Sequence, residues 1–190
     1  MKKRTLFNCI MVLVIAALAV GGVLFALSRR EADAETLGSR FQAVSVGDAL
    51  TGAGENACTV RVECVTVLSE LDAFDESKTP YLPTDGVIVP TTTVSFADGE
   101  TAFSALQRVC EAAELPLEYS WTPLYDSYYV EGIAHLYEFD CGTESGWMFQ
   151  VNGVFPNVGA SAYVLRDGDE VVWCYTCAGL GEDVGGAVGS

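Results

Sequence analysis

Six aromatic residues are the side chains of this sequence best suited to hold a ligand. Four of them crowd a polar, proline-containing loop, and exposed aromatics on loops are typical of glycan, peptide or flat-ring recognition. The other two lie in a later strand, where cross-strand aromatic pairing in the core is the competing interpretation. The predicted ligand-binding residues are Trp121, Tyr125, Tyr128, Tyr129, Trp147 and Phe149.

Catalytic chemistry has weaker candidates. His135 is the only histidine, and no neighbouring serine or cysteine suggests a triad. Asp140 and Glu144 flank a turn beside Trp147, and paired carboxylates beside an aromatic ring can cleave glycosides. Acidic residues are common in turns, however, so we predict no catalytic residue and no enzyme.

Metal binding is not predicted either. Cys174 and Cys177 have the C-x-x-C form, but no second such pair or paired histidines accompany them to complete a zinc site. The acidic run Asp167–Glu170 lacks the spaced oxygen ligands of a calcium loop, so we interpret it as a hairpin turn.

The cysteines indicate an exported, disulfide-stabilised domain. Cys9 lies in an apolar run, and the even number that remains predicts three disulfides. Cys58 and Cys64 are too far apart on one predicted strand to pair, and Cys174 and Cys177 point to opposite faces of another. Cys110 is a predicted disulfide partner for one of Cys58 and Cys64. Cys141 is predicted to bond to Cys174 or Cys177. The predicted disulfide residues are Cys58, Cys64, Cys110, Cys141, Cys174 and Cys177.

The N-terminus predicts a membrane segment. A basic stub at residues 1–5 precedes an apolar run at residues 6–28, which is long enough to cross a bilayer and long for a cleaved signal. We expect a single-pass anchor in the cell membrane, with the rest of the chain extracellular. Secretion after cleavage of the segment is the alternative.

The charge is strongly asymmetric. Residues 1–30 hold five basic and no acidic side chains, so the remainder carries the other five basic residues against all 26 acidic ones, a formal charge of −21. This excludes a basic footprint for nucleic acid and favours a solvated extracellular domain.

The remaining chain divides into a tether, one domain and a tail. Residues 29–56 are small and polar and predict a flexible tether, residues 57–180 predict a single domain, and residues 181–190 predict a flexible tail. Within the domain, residues 58–68 and 87–96 predict strands, and residues 101–114 predict a helix that Thr101 caps and Pro116 ends. Residues 117–121 and 128–139 predict further extended segments.

Two strands with turn signals complete the pattern. Residues 146–151 precede Asn152-Gly153, and residues 170–177 follow Asp167-Gly168; such dipeptides favour tight hairpins. Strands on both sides of a lone helix predict an α+β fold, a mostly antiparallel curled sheet packed on one helix in a β-grasp-like arrangement, preceded by the transmembrane helix. An all-β sandwich is the alternative.

Four segments together resemble the transcobalamin-like C-terminal domain family across roughly residues 57–180. They are Gly99-Glu-Thr-Ala-Phe-Ser-Ala-Leu106, Tyr129-Val-Glu-Gly-Ile133, Ser145-Gly-Trp-Met-Phe-Gln-Val-Asn-Gly153 and Asp167-Gly-Asp169 through Trp173. The family occurs in vertebrate cobalamin carriers and in many exported proteins of Gram-positive bacteria. The resemblance implies an α+β fold and an extracellular location, and it alone implies cobalamin as a ligand.

The sequence therefore favours a membrane-tethered extracellular binding module without catalysis, for a small flat ligand such as a corrinoid. A surface adhesion or spacer module that binds protein or glycan is the second hypothesis, and an extracellular hydrolase is the third. The predicted partners are the membrane, through residues 6–28, and an unidentified small molecule, protein or glycan.

Overall fold

The computed structural model describes residue 50, residues 54–185 and residues 187–188. Within these residues, no helix is long and apolar enough to cross a membrane. The predicted membrane run at residues 6–28 lies outside the described residues, as does most of the predicted tether. The anchor and the domain boundaries therefore stay predictions.

The described chain is a mixed α+β structure made mostly of strands. Its α-helix is α1 (Ala102–Ala112), and short 3₁₀ helices span Val65–Ser69, Glu76–Tyr81 and Gly179–Gly181. The strands are β1 (Asn56–Glu63), β2 (Val87–Phe96), β3 (Leu117–Thr122), β4 (Ser127–Ile133), β5 (Leu136–Tyr137), β6 (Gly146–Val151), β7 (Val154–Phe155), β8 (Glu170–Thr176) and β9 (Ala187–Val188).

The strands form two sheets, whereas the sequence predicted one. The larger sheet has the order β2-β1-β8-β6-β7-β9, and the smaller has the order β3-β4-β5. Most neighbours are antiparallel, but β1 and β8 are parallel, as are β7 and β9. Strand β4 contacts β6, so the smaller sheet packs against the larger one.

The helix forms where its residue pattern predicted it. The Thr101 side chain accepts a hydrogen bond from the backbone N–H of Ser104, and the Ser104 hydroxyl accepts one from the backbone N–H of Thr101. This reciprocal cap satisfies two donors that a helix N-terminus leaves free. The apolar stripe is buried against β1 and β2. The helix ends at Ala112, before the predicted residue 114, and Glu114 follows in the left-handed region with φ of 53°.

Strand β1 is shorter than predicted. It ends at Glu63, and the alternating residues that follow form a 3₁₀ helix. The backbone N–H of Cys64 donates to the carbonyl of Gly86 at 2.7 Å, and that of Val67 donates to the carbonyl of Cys64 at 3.1 Å. These hydrogen bonds turn the chain, so the alternating apolar pattern alone predicted a strand that was too long.

The segment predicted as extended over residues 128–139 is a hairpin of β4 and β5. Ala134 and His135 form its two-residue turn with φ of 53° and 69°, and Ile133 pairs with Leu136. Two positive φ values match the twist of a hairpin. Ala-His carries no glycine or asparagine signal, so the sequence did not reveal this turn.

Two glycine turns organise the larger sheet. Asn152 and Gly153, with φ of 53° and 75°, close the predicted hairpin between β6 and β7. Gly168 lies in a turn as well, but β8 after it pairs with β1 and β6. The acidic run is therefore a turn that enters a central strand, and the hairpin interpretation is corrected.

The core lies on one face of the larger sheet. Val60 and Val62 of β1 lie beside Val171 and Trp173 of β8, and all four are buried in one core with the apolar residues of α1. The end of the chain also joins this sheet. Ala187–Val188, within the predicted tail, pairs in parallel with β7.

Candidate functional site

The β3–β4 hairpin carries four of the predicted binding residues. Trp121 pairs with Tyr128 across the strands, and their rings meet edge to face at 5.1 Å. Tyr128 also stacks on Phe103 of α1 at 4.9 Å, which fixes its ring against the helix. Trp121 lies within β3, at the end of the extended segment that was predicted over residues 117–121.

Strands β6 and β8 supply a second set of aromatics. Trp147 lies opposite Tyr175, and Phe149 lies opposite Trp173. The Phe149 and Trp173 rings are stacked at 5.3 Å, while Trp147 meets Tyr175 edge to face at the same distance. The Trp147 indole N–H donates to the Leu136 carbonyl at 2.9 Å. Trp147 and Trp173 are both buried, in agreement with the core interpretation.

The loop after β7 forms a third side. The Ser161 hydroxyl lies 2.7 Å from that of Ser127 and accepts the backbone N–H of Tyr128 at 2.8 Å. Gly159 makes this approach feasible, because a Cβ there would lie 2.1 Å from the Ser127 hydroxyl oxygen. Any larger residue at position 159 would displace the loop from the hairpin.

A cleft of about 550 Å³ lies between the β3–β4 hairpin, strands β6 and β8, and the loop after β7. The volume is in the range of small-molecule sites, about 300–1,000 Å³. No lining residue carries a charged side chain. The lining residues are Thr122, Tyr125, Ser127, Tyr128, Tyr129, Val130, Trp147, Met148, Phe149, Phe155, Pro156, Asn157, Val158, Gly159, Ala160, Ala162 and Trp173.

The cleft gathers five of the six aromatic residues that the sequence singled out. Tyr125, Tyr128, Tyr129, Trp147 and Phe149 all line it, whereas Trp121 does not. Tyr125 and Tyr129 are exposed, so their faces are open to a ligand. Whether they bind one stays a prediction.

The sequence reasoning did not identify residues 156–162 or Trp173 as part of the site. Pro156, Asn157 and Gly159 are typical loop residues, and nothing local indicates that this loop folds back over the hairpin. Trp173 was assigned to the core, and it is buried there and also lines the cleft.

Tyr129 is a hydrogen-bond donor at the edge of the cleft. Its hydroxyl donates to the Glu138 carboxylate at 2.7 Å. Burial, followed by this hydrogen bond and the nearby acidic charges, raises the pKa of Tyr129 to about 12. The phenol therefore stays protonated at neutral pH and is unsuited to act as a base.

The residues considered for catalysis lie outside the cleft. His135 occupies the β4–β5 turn with its ring 4.4 Å from that of Tyr81. Asp140 accepts the backbone N–H of Tyr137 at 2.8 Å and pairs with Lys78 at 3.6 Å. These contacts are structural, and Glu144 does not line the cleft either. That the chain is no enzyme stays a prediction.

Over the described part of the chain, no group of three or more histidine, cysteine or acidic residues is arranged to hold a metal ion. In the acidic turn, Asp169 is buried and accepts the Asn152 side-chain amide and the Arg166 backbone N–H, each at 2.9 Å. Asp167 accepts the backbone N–H of Ala57 at 2.9 Å. Both carboxylates thus serve the fold.

The six cysteines of the predicted disulfides are unbonded in the structure, and five are buried. Burial raises the pKa of Cys64, Cys110 and Cys174 to about 12, so these thiols are not reactive thiolates at neutral pH. Cys58 has its pKa raised to about 11, mainly by burial. The three disulfides stay a prediction.

Cys141 is close to Cys177. Burial raises the pKa of both thiols. A hydrogen bond between the two side chains partly offsets the increase in the pKa of Cys141 and adds to the increase in the pKa of Cys177. Cys174 pairs in register with Glu63, on the sheet face opposite Val62 and Trp173. This register favours Cys177 over Cys174 as the partner of Cys141.

We expect peptide mapping of the unreduced protein to recover a Cys141–Cys177 bridge. A native disulfide contributes about 2–4 kcal/mol, so replacing both residues by serine should lower the free energy of unfolding by that amount under oxidising conditions. Cys174→Ser is the control for the mapping, because the Cys141–Cys177 peptide should still be recovered from that variant. Recovery of a Cys141–Cys174 peptide would contradict the register.

Comparisons with known proteins find one matching family and 16 matching chains of solved structures. The model of a family described as a domain of unknown function, DUF4430, matches residues 99–177. No curated protein matches the chain.

Among solved structures, haptocorrin in complex with Cbi is similar at 12% identity and a TM-score of 0.46, covering 66% of this chain and 26% of the haptocorrin chain. A protein of Ruminococcus gnavus, provisionally described as metal-binding, is similar at 16% identity and a TM-score of 0.38, covering 64% of this chain and 97% of that one. The chain thus spans about a quarter of the length of haptocorrin.

Proposed function

We propose that this chain is a non-catalytic binding module that holds a small, flat, largely apolar ligand in the aromatic cleft. The observation that carries the proposal is the convergence of Tyr125, Tyr128 and Tyr129 of the β3–β4 hairpin with Phe149 of β6 on one concave surface, which the loop after β7 completes. Concave, mostly apolar surfaces with a few polar groups are the usual sites for small molecules.

The charges restrict the ligand. No charged side chain lines the cleft, so a charged ligand would lose its hydration without a counter-ion. The formal charge of −21 on residues 31–190 further disfavours an anion. A neutral ligand with flat faces is the class that this surface would hold.

A corrinoid also has flat ring faces, and its only specific support is the resemblance to the transcobalamin-like family. Tyr125, Tyr128 and Phe149 would pack against the periphery of the ring. The strand order β2-β1-β8-β6, with α1 beside it, supports the β-grasp-like description that belongs to the same proposal. The proposal also keeps the module extracellular and tethered through residues 6–28.

A matched pair of adjacent residues tests the cleft. Tyr125 is 69% exposed and lines the cleft, whereas Leu124 is 81% exposed and does not. We expect Tyr125→Ala to weaken cobalamin binding roughly threefold to tenfold, because an aromatic contact contributes about 0.5–1.5 kcal/mol, and Leu124→Ala to leave it unchanged. The measurement is tryptophan fluorescence of the full chain in lipid nanodiscs, titrated with cobalamin.

A saturable fluorescence change that both variants share equally would place the ligand elsewhere. No saturable change at high micromolar cobalamin would remove the corrinoid and leave other flat neutral ligands.

The tip of the β3–β4 hairpin favours a second function. Leu124 and Tyr125 protrude there, with Trp121 half exposed nearby, and such a patch suits adhesion to a protein or a glycan. Under this alternative, Leu124→Ala would reduce the amount of envelope protein that the chain pulls down or the binding of the chain to a glycan array. Under the small-molecule proposal it would not.

A further inference from the structure

The indole N–H of Trp173 is buried without a hydrogen-bond acceptor. The side chain is 3% exposed, and its Nε1 atom has no partner among the described residues. Trp147, on the neighbouring strand, donates its own indole N–H to the Leu136 carbonyl at 2.9 Å. A buried donor without a partner costs free energy, and native structures contain few of them.

The position of this donor links it to the cleft. Trp173 is one of the residues that line the cleft, and its ring is stacked on that of Phe149, which lines the cleft too. Among the polar lining residues, Ser127 is already engaged with Ser161. No carboxylate lines the cleft, so the protein offers no strong acceptor there.

We propose that Trp173 donates its indole N–H to a neutral carbonyl oxygen of the ligand. This inference rests on the proposed function. It makes Trp173 a specificity-determining residue and requires that the ligand carry a carbonyl acceptor. The nitrogen is shielded from water in the structure, so the acceptor reaches it when the ligand displaces the groups that shield it. A carboxylate would be an equally good acceptor, but an uncharged lining in an acidic domain disfavours an anion.

Two probes of the same outline separate the hydrogen bond from apolar packing. Coumarin is a neutral, flat bicycle with a carbonyl, and naphthalene is a flat bicycle without oxygen. The full chain in lipid nanodiscs is titrated with each probe, with free probe measured at equilibrium. We expect Trp173→Phe to weaken coumarin binding about tenfold, the effect of one hydrogen bond, and to change naphthalene binding less than twofold.

A second measurement on the unaltered chain does not depend on the variant folding. The protein has three tryptophans, so ¹⁵N labelling gives three indole signals. Coumarin should shift the Trp173 indole proton downfield, while naphthalene should not. The Trp147 indole is the internal control, because its N–H is already bonded to Leu136.

Equal weakening of both probes by Trp173→Phe, or unaltered coumarin binding, would overturn the inference and leave the cleft function in place. If neither probe binds the unaltered chain, the proposed function fails and this inference fails with it.

Discussion

Replacing Asp169 by alanine is expected to lower the free energy of unfolding by roughly 3–5 kcal/mol, because hydrogen bonds to a charged group contribute about 1.5–3 kcal/mol each. Asp169 is 4% exposed and accepts the Asn152 amide and the Arg166 backbone N–H, both at 2.9 Å. Asn152 in turn accepts the backbone N–H of Glu170 at 2.9 Å. The carboxylate therefore links the β6–β7 turn to the start of β8. Strands β6 and β8 carry Trp147, Phe149 and Trp173, which line the cleft.

Asp167→Ala is the matched control. Asp167 lies in the same turn and, within the described part of the chain, accepts one exposed backbone donor, the N–H of Ala57. We expect it to cost about 1 kcal/mol or less. Urea unfolding followed by circular dichroism measures both variants. Equal decreases in the free energy of unfolding for the two variants would mean that the buried hydrogen bonds of Asp169 contribute no more than the exposed hydrogen bond of Asp167.

Trp147→Ala is expected to destabilise the protein by about 3–5 kcal/mol, the usual range for removing a buried tryptophan. The ring is 6% exposed, meets Tyr175 at 5.3 Å and donates to the Leu136 carbonyl. The substitution would leave a cavity beneath the cleft and remove the hydrogen bond to the Leu136 carbonyl of the β4–β5 hairpin. Loss of ligand binding in this variant would therefore follow from loss of the fold.

The same substitution at Trp121 provides the comparison. Trp121 is 48% exposed and contacts Tyr128 at the surface. We expect Trp121→Ala to cost about 1 kcal/mol, since an edge-to-face aromatic pair contributes about 0.5–1.5 kcal/mol. Thermal unfolding of the two variants side by side makes the measurement. A loss at Trp121 as large as that at Trp147 would show that the hairpin surface, rather than the sheet interior, stabilises this region.

Local pattern determined several elements of the fold. Strand β2 spans Val87–Phe96, the range that the sequence predicted. The capped start of α1 at Thr101 and the Asn152-Gly153 hairpin also lie where they were predicted. Each of these depends on side chains within one turn or one strand, so periodicity and turn chemistry suffice to locate them.

Elements without a local signal were not predicted. The Ala134-His135 turn has two positive φ values at residues that give no turn signal. The hairpin forms because Ile133 and Leu136 are buried on either side of it. Similarly, the chain turns after Glu63 through a hydrogen bond between Cys64 and Gly86, which are distant in sequence.

The candidate site shows the same division between sequence and structure. The sequence alone identified the aromatic residues Tyr125, Tyr128, Tyr129, Trp147 and Phe149, because their types and their loop or strand context indicate binding surfaces. Only the tertiary structure brought them to one cleft, added the loop at residues 156–162 and left the Trp173 N–H unpaired. The reason is physical: residue type sets what a side chain can contact, whereas the pairing of β6 with β8 and the packing of two sheets depend on the summed burial of residues far apart in the chain.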